Sequence, residues 1–122
     1  MIQRILEEIH EKGIVAIVRA RNGEEGLKLA NAIFEAGIPA IEITMTVPNA
    51  IDIMRDLAKE YGTKGLILGA GTVLDPETAR ACILAGAEYI VAPNLNEDLI
   101  KLCNRYSVPC MPGVGSVTEM LR

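Results

Sequence analysis

Short apolar runs alternate with amphipathic segments along the chain at nearly constant spacing. The runs span Gly13 to Ala20, Ile38 to Met45, Gly65 to Val73, Tyr89 to Asn94 and Val108 to Val114. Each is rich in Val and Ile without period-two polarity, the pattern of strands covered on both faces of a parallel sheet. The segments between them read as helices with recognisable starts. Asn22 with Glu25 forms a capping box, Asp75 followed by Pro76 and Glu77 opens another helix, and Asn96 with Glu97 and Asp98 opens a third. Gly37, Gly62 and Gly86 stand where helices are expected to stop in a left-handed turn. Two stretches, AIFEAGIPAIEIT and ACILAGAEYIVAP, resemble each other as copies of one helix-glycine-strand module would. With the amphipathic MIQRILEEIHEK in front, the pattern predicts a leading helix, five strands and four complete helices, without linker or low-complexity sequence.

The last segment is different. Ser116 and Glu119 form another capping box, yet only a little more than one helical turn precedes Arg122. So short a helix does not offset its nucleation cost unless packing holds it. It either docks as a cap or represents a βα unit cut within its fifth helix, and we expect the latter. A closed parallel barrel needs about 250 residues, so any barrel built at this spacing in 122 residues is a partial one.

Half of the residues are hydrophobic and 23% are charged, which is the composition of a cored globular domain. The formal net charge of −4 and the scattered Lys and Arg offer no surface for nucleic acid or anionic lipid. No apolar stretch approaches the ~18 residues of a membrane span, and the leading helix is acidic rather than signal-like. The expectation is a cytoplasmic protein. Cys82, Cys103 and Cys110 lack the spacing of a metal or redox motif and read as buried free thiols. His10, the single histidine, reads as a surface or cap residue.

Polar residues within the strands carry the chemical information, because such side chains cost free energy in a parallel sheet unless they are paired. Arg19 closes the first strand, Glu42 and Thr44 lie in the second, Thr72 ends the third and Pro93 the fourth. All fall in the C-terminal halves of their strands, where βα loops build sites in barrels and open α/β sheets. A plain alternative is that Arg19 and Glu42 form a buried ion pair. The Gly69-Ala70-Gly71-Thr72 turn could hold an anion at its backbone N–H groups. It is no dinucleotide fingerprint, because Leu74 stands where the third glycine would be needed.

The segments IVAIVRA, AGIPAIEITMTVP, GAGTVLDPE, AGAEYIVAPNL and VPCMPGVGSVTEM resemble, in order and spacing, those of the 2-keto-3-deoxy-6-phosphogluconate and 4-hydroxy-2-oxoglutarate aldolases. The resemblance implies an α/β fold of the (β/α)8 TIM-barrel class. Residues 1–122 would then be a single partial barrel domain of five βα units. It also implies a trimeric homo-oligomer that uses a lysine amine to form a Schiff base with a 2-keto acid, without metal or cofactor. On this resemblance Glu42 is the general acid–base, Arg19 and Thr72 hold the substrate carboxylate and Pro93 lines the pocket. Thr46 stands where some members carry an arginine, which shifts weight to Arg19. The family's Schiff-base lysine belongs to a sixth strand, within a Lys-aromatic-aromatic-Pro run that this sequence does not contain. Of the lysines present, Lys28, Lys59 and Lys101 fall in helical segments, while Lys12 and Lys64 precede strands and face the other end of the sheet. The chain alone is therefore expected to lack aldolase activity. The phosphate-binding loops expected after strands seven and eight are absent as well.

Two other readings fit the same length. A flavodoxin-like receiver domain also has five βα units, but it needs acidic groups after the first strand, an aspartate ending the third and a lysine ending the fifth. Arg19, Thr72 and Val114 occupy those places. A partial barrel could instead serve as an oligomerising element, pairing through the open edges of its first and fifth strands.

Overall fold

The computed structural model describes residues 1–122. The element order is α1 (Ile2–Lys12), β1 (Ala16–Val18), α2 (Gly23–Glu35), β2 (Ala40–Thr44), α3 (Ala50–Tyr61), β3 (Ile67–Gly71), α4 (Pro76–Leu84), β4 (Tyr89–Ala92), α5 (Glu97–Arg105), β5 (Cys110–Pro112) and α6 (Val117–Met120). Helix starts follow the local chemistry. Asn22, Asp75, Asn96 and Ser116 accept hydrogen bonds from the backbone N–H of Glu25, Thr78, Leu99 and Glu119, at 2.8, 2.7, 3.1 and 3.2 Å. The carboxylates reach back one residue beyond the cap, Glu25 to the N–H of Arg21 and Glu119 to that of Gly115. Helix α3 has no such side-chain cap; Asn49 precedes it in a left-handed conformation.

Gly37 and Gly86 adopt positive φ as expected, but Gly62 does not. At φ −58° it continues the right-handed path of α3, and the reversal falls three residues later at Gly65, with φ 95°. The turn after α3 is longer than the sequence suggested, because the N–H groups of Lys64 and Leu66 both bond the Tyr61 carbonyl. The outer strands are also shorter than their apolar runs. β1 and β5 each have one neighbour, so ladder pairing covers only three residues of each.

All five strands are parallel and stand in the order β1-β2-β3-β4-β5. Each βα unit thus adds the next stave on the same side. A flavodoxin-like sheet would run 2-1-3-4-5, so the order removes the receiver reading. Right-handed crossovers between adjacent parallel strands keep α2 to α5 on one face. There Ile41, Ile43, Leu68 and Ile90 join Met54, Leu57, Cys82 and Leu99 in a core of 24 buried residues. The opposite, inner face carries a much smaller apolar cluster, Ile5, Ala40, Ile67 and Tyr89, which α1 covers at the N-terminal end of the strands. The C-terminal half of the inner face is left to other residues.

Candidate functional site

Alternation along each strand decides what the inner face presents. Strand register aligns Ile17 with Glu42, Glu42 with Gly69, and Gly69 with Tyr89, a single row across four strands. One step toward the C-terminal ends, Thr44 stands opposite Gly71. The two glycines of β3 clear space for their neighbours. A Cβ on Gly69 would overlap the Tyr89 ring, and one on Gly71 would overlap Glu42 Oε1. The Glu42 carboxyl therefore lies over bare backbone, pointing toward the C-terminal ends.

Glu42 is 7% exposed and Thr44 is wholly buried. Burial raises the proton affinity of the Glu42 carboxyl, and the positive charge of Arg19 offsets part of that rise. Arg19 follows directly after β1, is exposed, and takes part in no ion pair, so the buried Arg19–Glu42 bridge considered from sequence does not form. Thr44 Oγ1 donates to the Val18 carbonyl at 3.4 Å and shares a 2.6 Å hydrogen bond with Thr46 Oγ1. Exposed Thr46 thereby ties the end of β2 to the rim.

Thr72 lies one residue beyond β3 at φ 56°. A left-handed backbone is unfavourable for a β-branched residue, and such strain of about 1–3 kcal/mol persists only where the surroundings impose it. Here the flanking peptides are pinned, Met45 N–H to the Gly71 carbonyl at 2.9 Å and Val73 N–H to the Val91 carbonyl at 3.2 Å. Pro93 is exposed just beyond β4, beside Gly113, whose N–H bonds the Ala92 carbonyl at 2.8 Å. Arg19, Thr46, Thr72 and Pro93 thus lie at the C-terminal ends of the first four strands, while Glu42 is the middle residue of β2 with its carboxyl turned toward those ends. Thr44 and Thr46 touch; neither Arg19 nor Thr72 hydrogen-bonds Glu42.

The lysines are elsewhere. Lys28, Lys64 and Lys101 pair with Glu24, Glu60 and Asp98 at 3.1, 3.8 and 3.7 Å, Lys59 is on α3, and Lys12 ends α1. Lys64 precedes β3 at the end of the sheet remote from Glu42. No cluster of His, Cys, Asp and Glu has the makings of a metal site. Cys82 and Cys103 are fully buried and Cys110 half-buried, all as free thiols, and burial pushes the Cys82 thiol up to about 11. His10 is exposed in the last turn of α1.

Sequence reasoning missed Tyr89. It is 1% exposed, its ring rests on Gly69, and its hydroxyl is the one buried side-chain polar atom without a hydrogen-bond partner. Burial pushes the phenol up, and the charges of Glu42 and Glu88 push it further. A phenol opening an otherwise aliphatic strand, with two glycines in the strand before it, was the available signal.

A family model for KDPG and KHG aldolase matches residues 5–122. The chain is 32% identical over 108 residues to the KHG/KDPG aldolase of Escherichia coli (strain K12), covering 88% of this chain and 50% of that protein. It is 31% identical over 118 residues to the 2-dehydro-3-deoxy-phosphogluconate aldolase of Treponema pallidum (strain Nichols), covering 97% and 55%. Among solved structures it resembles KDPG aldolase from Legionella pneumophila with pyruvate captured at low pH as a covalent carbinolamine intermediate. There the TM-score is 0.77 at 30% identity, covering 88% of this chain and 52% of that one. The chain spans about half the length of these relatives. Its parallel sheet is the partial barrel expected from the sequence.

Proposed function

Because the chain belongs to the KDPG and KHG aldolase family, we propose that its C-terminal strand ends form the acid–base and carboxylate-binding part of a site for Schiff-base aldol cleavage of a 2-keto acid. The observation that carries this is Glu42: a carboxyl 7% exposed, set over Gly71 on the inner face, with its proton affinity raised by burial. Formation and dehydration of a carbinolamine require a group that both gives and takes a proton, and a carboxyl with raised pKa is suited to that role. Arg19 is the available cation for the keto-acid carboxylate, a group its planar fork matches in bidentate fashion. Thr72, Thr46 and Pro93 complete the rim. The products of such a cleavage are pyruvate and an aldehyde.

None of the five lysines lies at this end of the strands, so we further propose that the 122-residue chain by itself binds the keto acid without forming an imine. The test is pyruvate titration followed by backbone NMR, together with borohydride reduction and mass spectrometry. Expected are shift changes at Arg19, Glu42 and Thr72 that disappear in Arg19→Ala, and no borohydride-trapped adduct. Unmoved resonances at those residues overturn the site, and a stoichiometric adduct on any lysine overturns the assignment of the nucleophile elsewhere.

Self-association is a second proposal, with a cytoplasmic setting in keeping with three free thiols. Ile17 on the inner face is 55% exposed, and Val117, Met120 and Leu121 near the C-terminus are 70%, 68% and 82% exposed. No helix is long and apolar enough to cross a membrane. Light scattering should show a homo-oligomer; a monodisperse 13 kDa species with cooperative unfolding would count against it.

A further inference from the structure

The Tyr89 hydroxyl stands apart from everything so far assigned a role. A buried polar atom without a partner forfeits the hydrogen bonds it had with water, and phenylalanine would fill the same space without that loss. Its surroundings are the apolar side chains of Ile5, Ala40 and Ile67, which offer nothing to bond. In the fourth direction, across Gly69, lies Glu42. Register puts Glu42, Gly69 and Tyr89 in one row, and because Gly69 has no side chain the ring of Tyr89 extends over β3 toward β2. The Glu42 carboxyl itself has no hydrogen-bond donor, and it is drawn up over Gly71, one inward-facing position further along β3.

We propose that Tyr89 is a positioning residue for Glu42: its hydroxyl donates a hydrogen bond to the ionised carboxylate when that side chain swings from Gly71 back toward the Tyr89 ring. The carboxyl then has two seats on the inner face. The upper one, over Gly71, faces the strand ends where a substrate would lie. The lower one, beside the Tyr89 ring that fills the space over Gly69, receives the carboxylate once its proton has been given away, and the phenol there supplies the protein donor that the charge lacks over Gly71. This rests on the reading of Glu42 as the proton carrier for its use, but not for its existence.

The groups able to bias the pair are few. Arg19 faces Glu42 from the end of β1, and Glu88 precedes Tyr89 and is held by Arg4 of α1 at 3.5 Å. Glu8, which pairs with the same Arg4 at 2.6 Å, and Glu11 and Lys12 are the further charges of α1 at that corner. β3 contributes no titratable side chain, and Cys110 of β5 packs on the helix-covered face.

The test is titration of the Glu42 side-chain carboxyl by carbon-13 NMR in the full chain and in Tyr89→Phe, without substrate. Removing a donor to the anion should raise the Glu42 midpoint by about one unit, since a hydrogen bond to the charged form favours it. An unchanged or lowered midpoint in a folded Tyr89→Phe overturns the proposal. A second measurement needs no variant: the Tyr89 ring carbon bearing the hydroxyl should shift with the Glu42 midpoint in the unaltered chain, and a flat trace across that range overturns it too. Both readouts are independent of pyruvate, so a Glu42–Tyr89 bond that survives alongside backbone resonances unmoved by pyruvate would leave this pair standing and remove the catalytic reading.

Discussion

On the helix-covered face of the sheet Ile41, Ile43, Leu68 and Ile90 are at most 1% exposed, whereas on the inner face Ile17 is 55% exposed and its row continues through a carboxylate, a glycine and a phenol. These residues alternate along the same strands. The outer face has helices α2 to α5 to bury against, so close packing of aliphatic side chains governs it. The inner face has only α1 at one end, and toward the other end its residues answer to shape and charge. Close packing and buried polar groups thus fall on opposite sides of one sheet.

The largest expected effect contrasts the two faces directly. Ile41→Ala empties a fully packed site and should lower stability by about 2–5 kcal/mol, while Ile17→Ala on the open face should change it by at most about 0.5 kcal/mol. Urea unfolding with unchanged slope measures both. Equal losses would break the contrast, and would mean that in solution the inner face is covered, as a second copy of the chain would cover it.

A smaller effect is expected from the glycines. Gly71→Ala places a methyl group where Glu42 Oε1 lies, and Gly69→Ala places one within the Tyr89 ring. Each must displace its neighbour, at a cost of about 1–3 kcal/mol. The two should differ in chemistry: Gly71→Ala alters the Glu42 titration, and Gly69→Ala alters the near-ultraviolet signal of the displaced tyrosine. If both variants are as stable as the parent and leave those signals unmoved, the inner face is not packed as described.

Much of this division was legible beforehand, and for identifiable reasons. Asn22, Asp75, Asn96 and Ser116 act through neighbours three residues away, so their capping could be read locally. Glu42 was conspicuous because a charge in an aliphatic strand needs a reason. Arg19 was placed at the correct end of β1 but not given its exposed position, which depends on β1 having a neighbour on one side only. The reversal at Gly65 in place of Gly62 turned on where two N–H groups find a carbonyl, a choice that single residues do not announce. Tyr89 was invisible for the deepest reason. Its meaning depends on register, on Gly69 lying opposite it and Glu42 beyond, and parallel register arises from crossover packing distant in sequence.

The smallest effect sharpens the comparison most, because it carries a sign. Burial raises the folded-state pKa of Glu42 above its ordinary value of 4.5. The folded chain therefore binds this proton more tightly than the unfolded chain does. The stability associated with it is fully present below the ordinary carboxyl range and is lost as pH rises through the folded-state value. Glu88, raised by burial, runs the same way and Asp75, lowered by its hydrogen bonds to Thr78, the opposite way, so the pH profile of the parent alone mixes all three. The difference between Glu42→Gln and the parent isolates Glu42. The variant should gain relative stability as pH rises through the Glu42 titration and level off above it, reaching about 1 kcal/mol, within the range that single stabilising substitutions give. Added salt should enlarge the gap slightly, because exposed Arg19 is screened while the burial penalty is not. A variant less stable than the parent at neutral pH would mean that attraction to Arg19 exceeds the cost of burial, and the inner face would then be held together by charge rather than strained for chemistry.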